Sequence, residues 1–186
     1  MLDTKGPSML TGSLKEGKPV ELQAGQTFMI VTDTAMEGDQ TRVSTNYGAL
    51  CETVQVGSKI LIANGALECE VTEVQEIGVK VIIKNSYLLS EKCTLSLPGA
   101  HLDLPVITDK DELDLTEFAC KNHDYVTMVA ISLVRSAENI ESVRTKLRAA
   151  EGGDDMKIIA KIENMEGLKN FDEILQAADG VMIMRQ

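Results

Sequence analysis

No run of this chain reaches the ~18 unbroken apolar residues that a membrane-spanning helix needs. The opening Met1-Leu-Asp-Thr-Lys-Gly-Pro7 also lacks the basic-then-apolar profile of a secretory signal. Neither a membrane-embedded nor an exported protein is expected. Densely basic segments are missing too: 18 Lys and Arg stand against 29 Asp and Glu, for a net charge of −11 and a pI near 4.6. A nucleic-acid backbone is therefore not an expected partner, whereas anionic small molecules remain open, since a few local cations can outweigh net charge. Histidine is limited to His101 and His123, and the four cysteines, Cys51, Cys69, Cys93 and Cys120, contain no C-x-x-C pair. That spacing argues against a zinc site. With ample apolar residues and no export signal, the thiols are expected to be reduced and the compartment cytosolic.

What is present is a chain of 186 residues, 44% of them hydrophobic, enough for one large domain or two small ones. Charge does not divide it, because residues 1–107 carry −5 and residues 108–186 carry −6. Periodicity does. From about Lys15 to Val106 short apolar runs alternate with turn residues, most clearly in Ile77-Gly-Val79-Lys-Val81-Ile-Ile83, which is strand spacing. Strands are predicted over 28–31, 59–63, 68–74, 79–83 and 94–97, separated by Gly38-Asp39, Gly57-Ser58, Asn64-Gly65 and Glu76-Ile77-Gly78. Five or more short strands in ~90 residues suggest a small all-β barrel or sandwich. Gly12, Gly17 and Pro19 mark its start, and Pro98-Gly99 and Pro105 its end.

After Pro105 helices and β-rich runs alternate. Thr108 with Asp111 and Glu112 resembles a capping box. It opens a helix whose inward positions would be Leu113, Leu115 and Phe118 and which ends near Lys121. A buried strand is predicted over 126–134. Ser136 is placed to cap a helix carrying Ile140, Val143 and Leu147, stopped by Gly152-Gly153. A strand over 157–162 follows, then a helix capped by Asn164 with Leu168, Phe171 and Leu175, then a strand over 180–184. This α-β-α-β-α-β order calls for a parallel sheet covered by helices.

Functional residues of such sheets gather at the carboxyl ends of the strands. Three of these ends are polar: Ser132-Leu-Val-Arg135, Lys161-Ile-Glu163-Asn164 and Met184-Arg185-Gln186. Lys161 and Glu163 are two apart on an extended segment, so both project from one face. They have the chemistry to hold an anionic substrate and a divalent metal, or simply to form a structural ion pair.

Leu2-Asp-Thr-Lys-Gly-Pro7, Leu97-Pro-Gly99 with Asp103-Leu-Pro105, Lys161-Ile-Glu-Asn164 with Glu166-Gly167, and Asn170-Phe-Asp-Glu-Ile-Leu175 together resemble the pyruvate kinase family, in its plant cytosolic-like form, in order and spacing. The resemblance covers essentially the whole chain. It implies an α/β plus all-β protein: a partial (β/α)8 TIM barrel interrupted after its third strand by a small β-barrel lid. Residues 1–12 would be the end of barrel strand 3, residues 13–106 the lid and residues 107–186 the following βα units. The chain would thus be truncated at both ends. The other barrel strands, the second metal-binding aspartate and a regulatory domain would lie outside these residues, leaving this chain weak or inactive alone.

The chemistry implied is phosphoryl transfer from phosphoenolpyruvate to ADP, giving pyruvate and ATP in glycolysis, with magnesium and potassium. By the same resemblance Lys161 matches the catalytic lysine, Glu163 a magnesium ligand, and Asp3 and Thr4 potassium ligands. Ser132 lines the substrate cavity, and Lys92 is one basic residue on the nucleotide side. The intact family is expected to be homo-oligomeric. Departures accompany the match. Ser8, Met9 and Leu10 stand where the family has glutamate, isoleucine and arginine, so a guanidinium fork becomes an aliphatic side chain. Ala63-Asn64-Gly65 replaces an acidic turn, Cys93 replaces the second basic residue beside Lys92, and Leu133 replaces phenylalanine. Two other readings stand beside the kinase: a non-catalytic fragment that docks on intact subunits, and a metal-dependent lyase of pyruvate-like substrates. The nine methionines, with Met128, Met182 and Met184 in expected core strands, read as packing residues. The acidic 109–114 segment reads as a helix start and solvated face, and Cys93 as a free surface thiol.

Overall fold

Leu67, Cys69 and Val71 are buried while Glu68 and Glu70 between them are partly exposed, and Val79, Val81 and Ile83 repeat the pattern around Lys80 and Ile82. This period of two folds the segment into an antiparallel hairpin. The computed structural model describes residues 1–184. The chain divides into one unit formed by Ser8–Asp103 and another formed by Met1–Pro7 together with the residues from Leu104 onward. Its strands are β1 (Leu2–Asp3), β2 (Val20–Leu22), β3 (Thr27–Val31), β4 (Arg42–Ser44), β5 (Lys59–Ile62), β6 (Leu67–Gln75), β7 (Gly78–Ile83), β8 (Tyr87–Leu89), β9 (Leu95–Ser96), β10 (Met128–Ile131), β11 (Lys157–Ile162) and β12 (Gly180–Ile183). The helices are α1 (Leu50–Thr53), α2 (Asp109–Leu113), α3 (Ala137–Ala149), α4 (Met165–Lys169) and α5 (Phe171–Ala177).

In the Ser8–Asp103 unit a six-stranded sheet runs β4-β3-β7-β6-β5-β9, and β2 pairs with β8 separately. All of these pairings are antiparallel except β3 with β4. Phe28, Ile30, Ile60, Ile62, Leu22 and Leu89 form its buried interior. The five predicted strands are all present. The three additional ones, β2, β4 and β8, have three residues each, too short for alternation to stand out from a loop. Between β5 and β6 the Ala66 N–H donates to the Ala63 carbonyl at 3.1 Å across Asn64 (φ 55°) and Gly65 (φ 85°), the left-handed central pair that a tight hairpin turn requires.

In the other unit four parallel strands run β1-β10-β11-β12. Ile140, Val143 and Leu147 of α3 join Val129, Ile131 and Ile158 of the sheet in one apolar cluster. After α3 the backbone reverses at Gly152 (φ 85°), where a Cβ would lie 2.4 Å from the Cys120 carbonyl oxygen, so only glycine fits.

The structure corrects several expectations here. The 109–121 helix is not uniform: α2 passes into a π-helical stretch, Asp114–Ala119, and a 3-10 turn, Cys120–Asn122. The widened turn changes the phase, so Leu115 and Ala119 point inward while Leu113 and Phe118 are exposed. Ser136 sits at the start of α3 without accepting a hydrogen bond from it. Glu173 accepts from the Ala137 N–H instead. The helix capped by Asn164 is two helices broken at Asn170, with Ile174 buried and Leu168 and Leu175 exposed. Met128 is exposed because it opens β10 opposite Lys157 at the rim of the sheet. Met182 and Met184 are only partly buried. Arg185 and Gln186, named above at the third strand end, lie outside the described residues. No helix among the described residues is long and apolar enough to cross a membrane.

Asp179 ties three elements together. It accepts hydrogen bonds from the Ile158 N–H at 2.9 Å and from Arg144 Nη1 at 3.2 Å, and pairs with Lys157 Nζ at 3.4 Å. Asp179→Ala is expected to lower the urea midpoint by the equivalent of about 1–2 kcal/mol. Asp172→Ala, at an exposed position in α5, should stay within about 0.5 kcal/mol of wild type.

Candidate active site

Parallel pairing brings the carboxyl ends of β1, β10 and β11 side by side, with Asp3 opposite Ala130 and Ile131 opposite Ala160. The residues leaving those ends meet. Lys161 Nζ donates to Asp3 Oδ1 at 2.8 Å and to Ser132 Oγ at 2.9 Å, and lies 3.5 Å from Glu163 Oε1. Ser132 in turn grips Thr4 twice: its N–H donates to Thr4 Oγ1 at 3.1 Å, and its hydroxyl donates to the Thr4 carbonyl at 2.8 Å. Glu163 Oε2 accepts the Leu133 N–H at 2.9 Å. Leu133 reaches that position in the left-handed region, φ 55°, where a branched-chain residue is strained.

Lys161 is 7% exposed. Burial by itself would lower its pKa, but the hydrogen bond it donates to Asp3 and the charges of Glu163 and Asp3 outweigh this and hold the ammonium above its ordinary 10.5. One cation between two carboxylates leaves the cluster with a net charge of −1, while the Asp3 side chain stays half exposed and the Glu163 side chain largely covered. An anion approaching this cluster meets net repulsion unless a further cation accompanies it. The available donors, two carboxylates and the hydroxyls of Thr4 and Ser132, are all hard oxygens, the type that magnesium and potassium select. Among the described residues no three His, Cys, Asp or Glu side chains gather as a metal cage, so the donor set fits in chemistry and is partial in number.

Five residues named from the sequence, Asp3, Thr4, Ser132, Lys161 and Glu163, are thus brought together. Spacing along β11 anticipates the Lys161–Glu163 pair. The shorter contact, to Asp3, spans 158 residues and leaves no trace in local pattern. Lys92 belongs to the Ser8–Asp103 unit, at φ 51° with its N–H on the Gly12 carbonyl. Leu10, Asn64 and Cys93 belong to the same unit. Leu10 bridges Thr94, Thr94 Oγ1 donates to Asn64 Oδ1 at 2.6 Å, and Cys93 exchanges hydrogen bonds with Thr11. Cys93 is a free, partly exposed thiol.

One residue goes beyond the role the sequence suggests for it. Asp111, expected on a solvated face, is fully buried. It closes the expected capping box with Thr108 and also accepts the Gly6 N–H at 3.1 Å. The acidic run around it, Asp109-Lys-Asp-Glu, looks solvated because nothing local reveals that Gly6, 105 residues earlier, covers it.

Comparison with known proteins places this geometry. The family model described as pyruvate kinase, barrel domain, matches residues 1–186. The chain is 43% identical over 185 residues to a pyruvate kinase of Eimeria tenella, covering 100% of this chain and 34% of that protein. It is 38% identical to a cytosolic pyruvate kinase isozyme of Nicotiana tabacum, again over 100% of this chain and 36% of the relative. A crystal structure of a pyruvate kinase from Cryptosporidium parvum superposes with a TM-score of 0.92 at 40% identity, over 98% of this chain and 37% of that one. A structure of the Cryptosporidium parvum enzyme in complex with ADP gives 0.86 at 39% identity, over 98% of this chain and 37% of that one. The chain spans about a third of the length of the relatives it matches.

The raised pKa of Lys161 fixes a sign. A group whose pKa is higher in the folded chain stabilises fully below its unfolded value, and the contribution is lost as pH rises through the folded value. The urea-denaturation difference between wild type and Lys161→Met is therefore expected to be level from about pH 6 to 9 and to shrink above about 10.5. A difference that grows with pH in that alkaline range would contradict the ion-pair geometry.

Proposed function

The chain belongs to the pyruvate kinase family, and we propose that its Lys161 cluster is the centre of phosphoryl transfer from phosphoenolpyruvate to ADP, yielding pyruvate and ATP. The observation that carries this reading is the convergence of Lys161, Glu163, Asp3, Thr4 and Ser132 at the carboxyl ends of adjacent parallel strands. In the transfer, an oxygen of the terminal ADP phosphate bonds to phosphorus as the bond from phosphorus to the enol oxygen breaks, leaving an enolate that takes up a proton to become pyruvate. Lys161, kept protonated by its two carboxylates, offers a fixed positive charge to the moving phosphoryl group and to the oxygen it leaves. Ser132 and Asp3 hold the ammonium in place, so little reorganisation accompanies the reaction. Glu163 would hold magnesium, and Asp3 and Thr4 potassium. When bound, these ions supply the positive charge that lets two anions approach a cluster of net charge −1.

In this reading the parallel sheet is part of a (β/α)8 barrel, with residues 1–12 as the end of its third strand and 107–186 as later βα units, and residues 13–106 form a β-barrel lid. In the same reading Lys92 is a basic residue of the nucleotide side, and Asn64 and Cys93 make the lid more neutral than the family pattern. The relatives named cytosolic isozymes support a cytosolic location. Each relative and solved structure compared above carries the kinase name, which favours this reading over a lyase or a purely docking fragment.

The test is a chimera in which residues 1–186 replace the matching segment of the Cryptosporidium parvum enzyme. Coupled assay of pyruvate formation is expected to show turnover that needs phosphoenolpyruvate, ADP, magnesium and potassium, and Lys161→Met should lower it by about 10²–10³-fold. Turnover unchanged by Lys161→Met would sink the assignment. The 186-residue chain by itself, with its partial donor set, is expected to give no pyruvate above background.

A further inference from the structure

We propose that Asp111 is a positioning residue of the Lys161 site: its buried carboxylate fixes the backbone at Gly6 so that Thr4 and Ser132 stay in register and present the Ser132 hydroxyl to the lysine. Its functional meaning rests on reading that site as the phosphoryl-transfer centre.

A capping box works at a solvated helix start, so capping α2 gives no reason to bury a carboxylate, which is costly unless its oxygens are satisfied. Both are. Oδ2 accepts the Thr108 N–H at 2.9 Å and the Thr108 hydroxyl at 2.7 Å, while Oδ1 reaches outside the cap to the Gly6 N–H at 3.1 Å. Burial alone would raise the pKa of Asp111, but the Thr108 hydroxyl and the N–H groups of Thr108, Gly6 and Lys5 more than offset it, so the carboxyl stays ionised. Gly6 is confined on its other side too. At φ 69° a Cβ there would lie 2.4 Å from Ser132 Cβ, so its bare backbone packs directly on Ser132. A continuous line of contacts follows: Asp111 to Gly6, Gly6 against Ser132, Ser132 twice to Thr4, and Ser132 to Lys161 at 2.9 Å. Asp111 stands at the end of this line farthest from Lys161 and touches neither the lysine nor its carboxylates. Its action is on geometry, not on the reacting atoms.

Amide hydrogen exchange followed by NMR on the 186-residue chain tests this, comparing wild type with Asp111→Asn and Thr108→Ala. The asparagine keeps the shape but has one acceptor oxygen for donors that now share two. Exchange at Gly6 and Ser132 is expected to quicken at least about tenfold, as for loss of a hydrogen bond to a charged group, while Ile159 and Ala160 in β11 keep their protection. Thr108→Ala removes the cap hydroxyl and leaves the carboxylate, so it should quicken exchange in α2 and leave Gly6 and Ser132 unchanged. Wild-type protection at Gly6 and Ser132 in Asp111→Asn overturns the proposal, as does an equal loss in Thr108→Ala, which would make helix stability the cause. Should Asp111→Asn fail to fold, the wild-type chain decides through the scalar coupling across the hydrogen bond between the Gly6 nitrogen and Asp111 Cγ. Its presence supports the proposal and its absence overturns it. Because none of these readouts is an activity, failure of the phosphoryl-transfer assignment, read from Lys161→Met in the chimera, is distinguishable from failure of this one.

Discussion

An ammonium group almost sealed from water must be met by opposite charge and by acceptors, or it gives up its proton. Lys161 is such a group, and most of what surrounds it follows from that requirement. Two carboxylates approach it from different parts of the chain, Asp3 from the end of β1 and Glu163 from just past its own strand, and a serine hydroxyl fills a third direction. The satisfied ammonium is a permanent positive charge on a rigid strand, which is what a reaction of anions demands and what a mobile surface lysine does not provide.

Strand register makes that arrangement possible. Along β11, Ile158, Ala160 and Ile162 belong to the apolar cluster under the helices, while Lys161 turns to the opposite face. A slip of one residue would exchange the two sets and drive the charge into the helix-covered core. The apolar residues beneath the helices thus fix the direction of Lys161 through the register of its strand, and the strained Leu133 backbone helps to fix Glu163 by offering it an N–H. Packing and chemistry occupy the two faces of one sheet, and neither can shift alone.

How much of this can be read from the residue order depends on how far apart the partners lie. Alternation within β6 and β7 and the spacing of Ile140, Val143 and Leu147 are local and are visible. The two-residue interval between Lys161 and Glu163 is local too, and it reveals one ion pair. Strands of three residues carry too few positions to show a period, so β2, β4 and β8 resemble loops. The helix start at Ala137 illustrates a different failure: Ser136 has the right chemistry in the right place, yet its side chain accepts nothing from α3, and the Ala137 N–H goes to Glu173 of another helix. Asp3 with Lys161, and Asp111 with Gly6, are joined only by the tertiary fold, so the residues most bound up with the site are the ones that local pattern hides. Resemblance to a family supplies Asp3, because the motif around it is retained, and leaves Asp111 in an unremarkable acidic run.

The pairing of Thr4 with Ser132 and of Asp3 with Lys161 also carries a consequence for synthesis. Lys161 follows 158 residues after Asp3, a delay on the order of 10–30 s at ordinary elongation rates. Through that interval the Ser8–Asp103 segment can acquire its largely antiparallel sheets, whereas β10, the strand that pairs with β1 among the described residues, has yet to emerge. The Lys161 cluster therefore cannot assemble until residues at both ends of this long interval have been made, whereas the largely antiparallel sheets of Ser8–Asp103 draw on residues from within it.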